Sequence, residues 1–168
     1  MVTSTRHSAG VLLFREIGGA VEVFLVHLGG PFWARKDRGA WSIPKGEFSN
    51  DEDPLHAALR EFQEETGHAV TADEIIPLRP RRLKSGKVVH AWAARGDVDP
   101  ARLESNTFSM EWPPRSGRQQ DFPEVDRAEW FPLHIARDKI SNGQAGFLDE
   151  LESRLTRGRP DAAGQPTD

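Results

Sequence analysis

Apolar residues recur along this chain with two different periods, and the two alternate. Residues 8–14 and 21–28 are β-rich runs joined by Glu16-Ile17-Gly18-Gly19, so they predict a hairpin. A polar, glycine-bearing loop over 29–40 carries Phe32 and Trp33, after which Trp41-Ser42-Ile43 predicts a short strand feeding Pro44-Lys45-Gly46. Over 54–66 the period becomes helical: Leu55, Ala58, Leu59 and Phe62 follow the i, i+3, i+4, i+7 rule and form the expected buried stripe. Asp53 before Pro54 is a good helix start, and Gly67 can supply a left-handed residue at the end. Residues 75–83 and 88–94 predict a second hairpin turned at Lys84-Ser85-Gly86-Lys87. A strand over 107–112, a loop over 113–118 and a last core strand at Glu129-Trp130-Phe131 follow, then helical material over 135–140 and 144–155. Strands and helices in this order imply a mixed β-sheet covered on both faces, in the α/β class. The chain reads as one domain over 1–155, and the Gly-, Pro- and Ala-rich stretch 156–168 reads as a disordered tail.

The helix over 54–66 carries more than a packing stripe. Glu61, Glu64 and Glu65 are related by i, i+3 and i+4 and share one face, expected to differ from that of the stripe. Crowded like charges are costly unless a cation or an arginine neutralises them. All-oxygen anionic ligands suit Mg²⁺ or Mn²⁺, ions that also bridge phosphates. Arg60 is placed to tie Glu52 and one helix glutamate by charge-assisted hydrogen bonds. A solvated acidic surface helix is the plainer reading, but it leaves Arg60 and the flanking Gly46 and Gly67 without a reason for their spacing.

Gly46, Glu52, Arg60-Glu61, Phe62, Glu64-Glu65 and Gly67 together resemble the signature of the Nudix hydrolases, with His68 departing where an aliphatic residue is usual. The departure removes no carboxylate and is read as a packing variation. The resemblance covers most of residues 8–155. It implies an α/β/α sandwich and Mg²⁺- or Mn²⁺-dependent hydrolysis of a nucleoside diphosphate linked to another moiety. It places the metal on Gly46, Glu61, Glu64 and Glu65, with Arg60 among the catalytic residues. A fourth carboxylate is expected in a loop before a late strand bearing a tryptophan. Glu124, six positions before Trp130, fits, with Asp121, Asp126 and Glu129 as competitors. The general base stays open between a helix glutamate and this one.

Phosphate chains need cations around the carboxylates, and Lys45, Arg35, Lys36 and Lys87 are the substrate-binding candidates, with Arg81, Lys84 and Arg118 behind them. Lys45 leads because it precedes Gly46. Trp33 joins the set as an aromatic able to stack a base, as could Phe32 and Trp112, although a core role is the default for any one of them. The run Trp41-Ser42-Ile43-Pro44-Lys45-Gly46-Glu47 resembles the opening found in dinucleoside polyphosphate hydrolases, which points to that substrate. The tyrosine usual downstream in many of those enzymes has no counterpart, since the chain has none. The extended motifs of the NADH and coenzyme A branches and the proline associated with ADP-ribose hydrolases are missing too. A nucleoside triphosphate pyrophosphatase and a catalytically silent nucleotide sensor are the alternatives, the latter disfavoured because the glutamates are retained.

Composition narrows this further. With 22 basic against 26 acidic residues the net charge is −4, so the expected partner is a small nucleotide and not a nucleic-acid polymer. No apolar run is long enough for a membrane helix and residues 1–10 lack a signal-peptide core, so a cytoplasmic location is expected. Absence of cysteine excludes disulfides, thiolate metal sites and a cysteine nucleophile. The histidines form no His-Glu-x-x-His set, Ser85-Gly86-Lys87 lacks the rest of a P-loop, and no Gly-x-Ser-x-Gly elbow occurs. Oligomeric state is not legible.

Overall fold

A computed structural model describes residues 5–71 and 73–158. Its centre is a mixed sheet. β1 (His7–Ile17) and β2 (Ala20–Leu28) form the expected hairpin, and β1 also runs parallel to β7 (Val88–Arg95). The order across the sheet is β10-β2-β1-β7-β5, with β10 spanning Val125–Pro132 and β5 spanning Ile75–Pro77. Short strands extend it: β3 (Trp41–Ser42) on β2, β4 (Lys45–Glu47) on β1 and β6 (Arg81–Arg82) on β7. A separate two-stranded ribbon pairs β8 (Thr107–Glu111) with β9 (Gln119–Pro123).

Central strands are buried on both faces, so their side chains divide between two cores. Val11, Leu13, Phe24 and Val26 meet α1 (Pro54–Thr66) through Ala57, Ala58 and Phe62. On the other face Leu12, Phe14, Leu25, Trp41 and Phe131 meet Phe147, Leu148 and Leu151 of α3 (Ala145–Gly158), with Ala136 of α2 (Leu133–Lys139). Each fully buried Phe or Leu contributes about 1.5–3 kcal/mol, which makes these two layers the main source of stability. The result is an α/β/α sandwich. Among the described residues no helix is long and apolar enough to cross a membrane.

Several elements differ from expectation. The run 75–83 is split, because Pro77 and Pro80 cannot donate ladder hydrogen bonds; β5 and β6 each pair separately with β7. Residues 119–123 form β9, although the polar stretch leading to Glu124 had read as loop; Phe108 opposite Phe122 supplies the cross-strand pair. Trp41-Ser42-Ile43 is not one strand ending at Ile43: the chain turns at Ile43-Pro44, and the side chain of buried Gln144 closes the gap, accepting from the Ile43 amide at 3.0 Å and donating to the Ser42 hydroxyl at 2.9 Å. In α1 the deepest residues are Ala57, Ala58, Phe62 and Thr66, whereas Leu55 and Leu59 are half-buried, since two adjacent alanines let the helix approach β1 closely. α3 continues through Gly158, so residues 156–158 of the expected tail are helical and the remainder lies outside the described residues.

Candidate functional site

α1 begins and ends as its sequence dictates. Asp53 accepts from the His56 amide at 3.0 Å, Pro54 occupies the first turn, and Gly67 takes a left-handed φ of 78° while its amide bonds to Gln63. The Thr66 hydroxyl receives the His68 amide at 3.1 Å, so the atypical residue at the helix exit leaves the carboxylates alone. With both ends pinned, α1 sets its glutamates beside β4.

Arg60 organises the first part of the site. Its guanidinium makes a two-pronged contact with Glu52, Nε to Oε2 and Nη2 to Oε1, both at 2.8 Å. Nη1 donates to Glu61 at 2.9 Å and to Glu64 at 3.0 Å. The arginine thus ties two helix glutamates, one more than the sequence suggested. This shell holds Glu52 below the ordinary carboxylate range through the Arg60 hydrogen bonds, and raises the pKa of Arg60 in return.

Glu65 is different. It is 9% exposed, on the edge of the buried face and not on a separate polar face as expected. It accepts one hydrogen bond from the Lys45 amide at 3.2 Å and none from Arg60. Burial first, then the nearby Glu124 and Glu61, push its pKa up to about 8 against the opposing pull of Lys45. Glu61 is likewise raised, by burial above all and by Glu64 and Glu124, with Arg60 opposing. Glu124 is raised by burial and by Glu64. Glu65 thus feels Glu61 and Glu124, Glu61 feels Glu64 and Glu124, and Glu124 feels Glu64. Lys45 is half-buried alongside, its pKa lowered by burial and by Lys87.

Gly46 faces this cluster from β4, paired with Ala9 of β1. A Cβ there would lie 2.0 Å from Oε2 of Glu61, so only glycine leaves room for that carboxylate. Glu124 sits at the joint between β9 and β10, where the pairing slips between Val125 and Arg127. Its carbonyl accepts from Gly29 at 2.9 Å and its amide donates to Asn106 at 2.8 Å, while the Asn106 amide reaches the carbonyl of Glu64 at 3.1 Å. Glu124 is thereby fixed to α1 through two consecutive backbone links by way of Asn106, and to the loop after β2 through Gly29. Asp126 and Glu129 lie on β10, and Asp121 lies on β9, where its carboxylate accepts from Ser109. An open cleft of about 570 Å³ lies against Arg60, Glu64, Glu104 and Asn106.

The donor set suits a hard divalent cation. Four carboxylates crowd together and Arg60 neutralises only part of their charge, leaving Glu65 and Glu124 without a guanidinium. Among the described residues no three His, Cys, Asp or Glu side chains are already drawn in around one point, so the carboxylates would close further around an ion.

Of the expected basic groups, Lys45 is at the cluster and Lys87 lies 3.5 Å from Glu47 on the same short strand. Arg35 and Lys36 are exposed on the loop between β2 and β3. Arg81 packs on α3, across the sheet from α1, with its guanidinium donating to the Gly146 carbonyl and lying over Phe147. Trp33 packs against the core on the α2 and α3 side, with Lys36 5.0 Å above its ring, while Phe32 turns outward. One pair escaped sequence reasoning: fully buried His27, near the end of β2, contacts Asp126 at 2.7 Å through Nδ1 and the Lys36 carbonyl at 2.6 Å through Nε2. Its signal was a polar residue following the apolar run Val23-Phe24-Leu25-Val26.

Comparison with known proteins agrees with this geometry. An 8-oxo-(d)GTP phosphatase of Mycolicibacterium smegmatis is 30% identical over 149 residues, 81% of this chain and 38% of that protein. An RNA pyrophosphohydrolase of Stenotrophomonas maltophilia is 34% identical over 80 residues, 47% of this chain and 34% of that one. The chain thus spans little more than a third of the length of these curated relatives. Among solved structures, an Ap4A hydrolase of C. elegans superposes with a TM-score of 0.62 at 20% identity, covering 91% of this chain and 99% of that one. The NUDIX domain of Shewanella oneidensis NrtR, complexed with ADP ribose, gives 0.63 at 18% identity, covering 92% and 90%. These likenesses show the fold. The NUDIX domain pattern matches residues 4–151, with the glutamate-bearing helix at its heart, and the protein belongs to that family.

Proposed function

We propose that the protein is a Mg²⁺-dependent pyrophosphohydrolase, with Mn²⁺ able to substitute, which cleaves a phosphoanhydride in a nucleoside diphosphate linked to another moiety. A dinucleoside polyphosphate is the preferred substrate. The observation that carries this reading is the gathering of Glu61, Glu64, Glu65 and Glu124, with Glu65 held at a pKa of about 8 and no guanidinium against it. Such a cluster is costly in the free protein and suited to divalent cations. Divalent metal is the general requirement of this family. When bound, the ion neutralises phosphate charge and lowers the pKa of a coordinated water.

The chain's own residues do the rest. Glu61, Glu64, Glu65 and Glu124, with the backbone of Gly46, are the holders of the cation. Arg60 orients two of them and keeps Glu52 as its anchor. A carboxylate of the cluster takes the proton from the attacking water, and a buried, pKa-raised group is suited to that task near neutral pH. Lys45, with Lys87 beside it, meets the phosphate chain; the partial burial of Lys45 strengthens its attraction for an anion. Arg35 and Lys36 extend the positive surface along the neighbouring loop.

A second reading, hydrolysis of a nucleoside triphosphate, is favoured by the relative named as an 8-oxo-(d)GTP phosphatase, which aligns over 81% of this chain. Turnover on a panel of dinucleoside polyphosphates, nucleoside triphosphates and nucleotide sugars in Mg²⁺ separates the two. Highest kcat/KM on a two-nucleoside substrate supports the first reading and highest kcat/KM on a triphosphate supports the second. No turnover combined with metal-independent nucleotide binding would overturn both.

A further inference from the structure

Two arms leave the carboxylate cluster at Glu124. One is the β8–β9 ribbon, whose base pairs Thr107 with Pro123, the residue before Glu124. The other is the loop after β2, whose Gly29 amide holds the Glu124 carbonyl at 2.9 Å. They run side by side. A Cβ at Gly30 would lie 2.9 Å from the ring of Phe108, and further out Phe32 meets Trp112 edge-on with ring centroids 5.5 Å apart.

Alternation along β8 puts Phe108 and Met110 on one face, and the contacts of Phe108 with Gly30 and of Trp112, just past the strand, with Phe32 turn this side towards the loop. Phe108 and Met110 are thereby half-buried. Phe32, at 59% exposed, is one of only two large apolar side chains strongly exposed among the described residues. Around this aromatic pair stand Arg35 on the loop and Arg115 and Arg118 at the ribbon's tip, none with an ion pair among the described residues. Exposed aromatic faces bordered by uncommitted cations are what a nucleobase and its phosphates require: every base has a π-face to stack, and guanidinium groups draw the anionic chain.

Position decides which base. Trp112 lies five residues along the ribbon from Thr107, roughly 17 Å from its base at the strand rise of about 3.4 Å. That is too far for the base of a nucleoside whose own phosphates lie at the glutamates, and suits a base carried beyond a longer phosphate chain. We propose that Phe32 and Trp112 form a stacking site for the second nucleobase of the substrate, the one on the far side of the phosphate chain, with Arg35, Arg115 and Arg118 steering that chain. This rests on the nucleotide-anhydride reading above and names the part of the substrate that sets specificity. The same chemistry has two sources, the distal nucleoside of a dinucleoside polyphosphate or the second nucleotide of a 5′-triphosphorylated oligonucleotide.

Equilibrium binding by titration calorimetry tests it, using Glu64→Gln protein so that turnover does not consume the ligand. Adenosine tetraphosphate, diadenosine tetraphosphate and a 5′-triphosphorylated dinucleotide are the probes. The parent protein should bind one of the two-base ligands at least about fivefold more tightly than adenosine tetraphosphate, and adding Phe32→Ala or Trp112→Ala should remove that preference. Loss of preference for diadenosine tetraphosphate assigns the site to dinucleoside polyphosphates, and loss for the dinucleotide assigns it to an RNA end. Unchanged preference in both variants, or no preference in the parent, overturns the proposal. Hydrolysis by the wild-type chain is measured separately, so a protein that cleaves anhydrides yet ignores the second base refutes this site and leaves the reaction standing.

Discussion

Stripping divalent cations and raising the pH should weaken the fold, and Glu65 should be the main reason. Its pKa of about 8 in the folded protein compares with an ordinary value of 4.5. Between those values the folded state holds a proton that the unfolded state has released, so stability is greatest at the acid end and falls as pH rises towards the folded pKa. With about 1.4 kcal/mol per pKa unit, the loss from about pH 6 to about pH 8 is about 2 kcal/mol. For a chain of this size that is a fall in Tm of roughly 4–8 °C. Glu61 and Glu124, also raised, act in the same sense, whereas His90, lowered by burial and by His7, acts in the opposite one. The difference between wild type and Glu65→Gln therefore isolates the residue. Thermal unfolding followed in EDTA across this range should show a steep decline for wild type and a flatter one for Glu65→Gln. Mg²⁺, which favours the ionised carboxylate, should restore the wild type at the alkaline end far more than the variant. Equal slopes in EDTA, or equal rescue by Mg²⁺, would refute the account.

Glu64→Gln and Glu65→Gln should each reduce kcat by about a hundredfold or more in a steady-state assay while circular dichroism stays native, because outer partners of metal ligands alone cost about ten- to a hundredfold. Arg60→Lys keeps the charge but not the fork that grips Glu52 while reaching Glu61 and Glu64, so kcat should fall about tenfold or more, with a weaker apparent affinity for Mg²⁺. Gly46→Ala should push the Glu61 carboxylate aside, since the new methyl would lie 2.0 Å from it; the side chain can swing away, so Tm should change little while activity drops. His27→Ala removes a fully buried ring with a partner on each nitrogen, and chemical denaturation should report a loss of about 2–4 kcal/mol.

What could be read from the sequence was local. Asp53-Pro54 and Gly67 bracket a helix by their own backbone preferences, and the spacing of Glu61, Glu64 and Glu65 follows from the helical repeat alone. β9 and the Glu124 joint were not local. They depend on Phe108 meeting Phe122 across the ribbon and on Gly29 reaching the Glu124 carbonyl from a segment almost a hundred residues away in sequence, about the separation that also brings His27 to Asp126. Choosing Glu124 over Asp121 likewise needed the register, because β9 engages Asp121 with Ser109 and leaves Glu124 as the residue at the joint.

Glu65 is the instructive case. Its depth had been written in the repeat, since position 65 lies three residues after Phe62 and seven after Ala58, on the very stripe that α1 buries. Assigning all three glutamates to one face apart from the stripe overrode that periodicity. A carboxylate at an apolar position is itself a chemical signal: burial there raises the pKa, and only a cation or a proton can relieve it. The same logic makes His27 legible in retrospect, as a polar residue where β2 demands an apolar one. In both places the departure from the hydrophobic pattern marks a group whose partners come from elsewhere in the fold, and in both the partner set leads to the joint that carries Glu124.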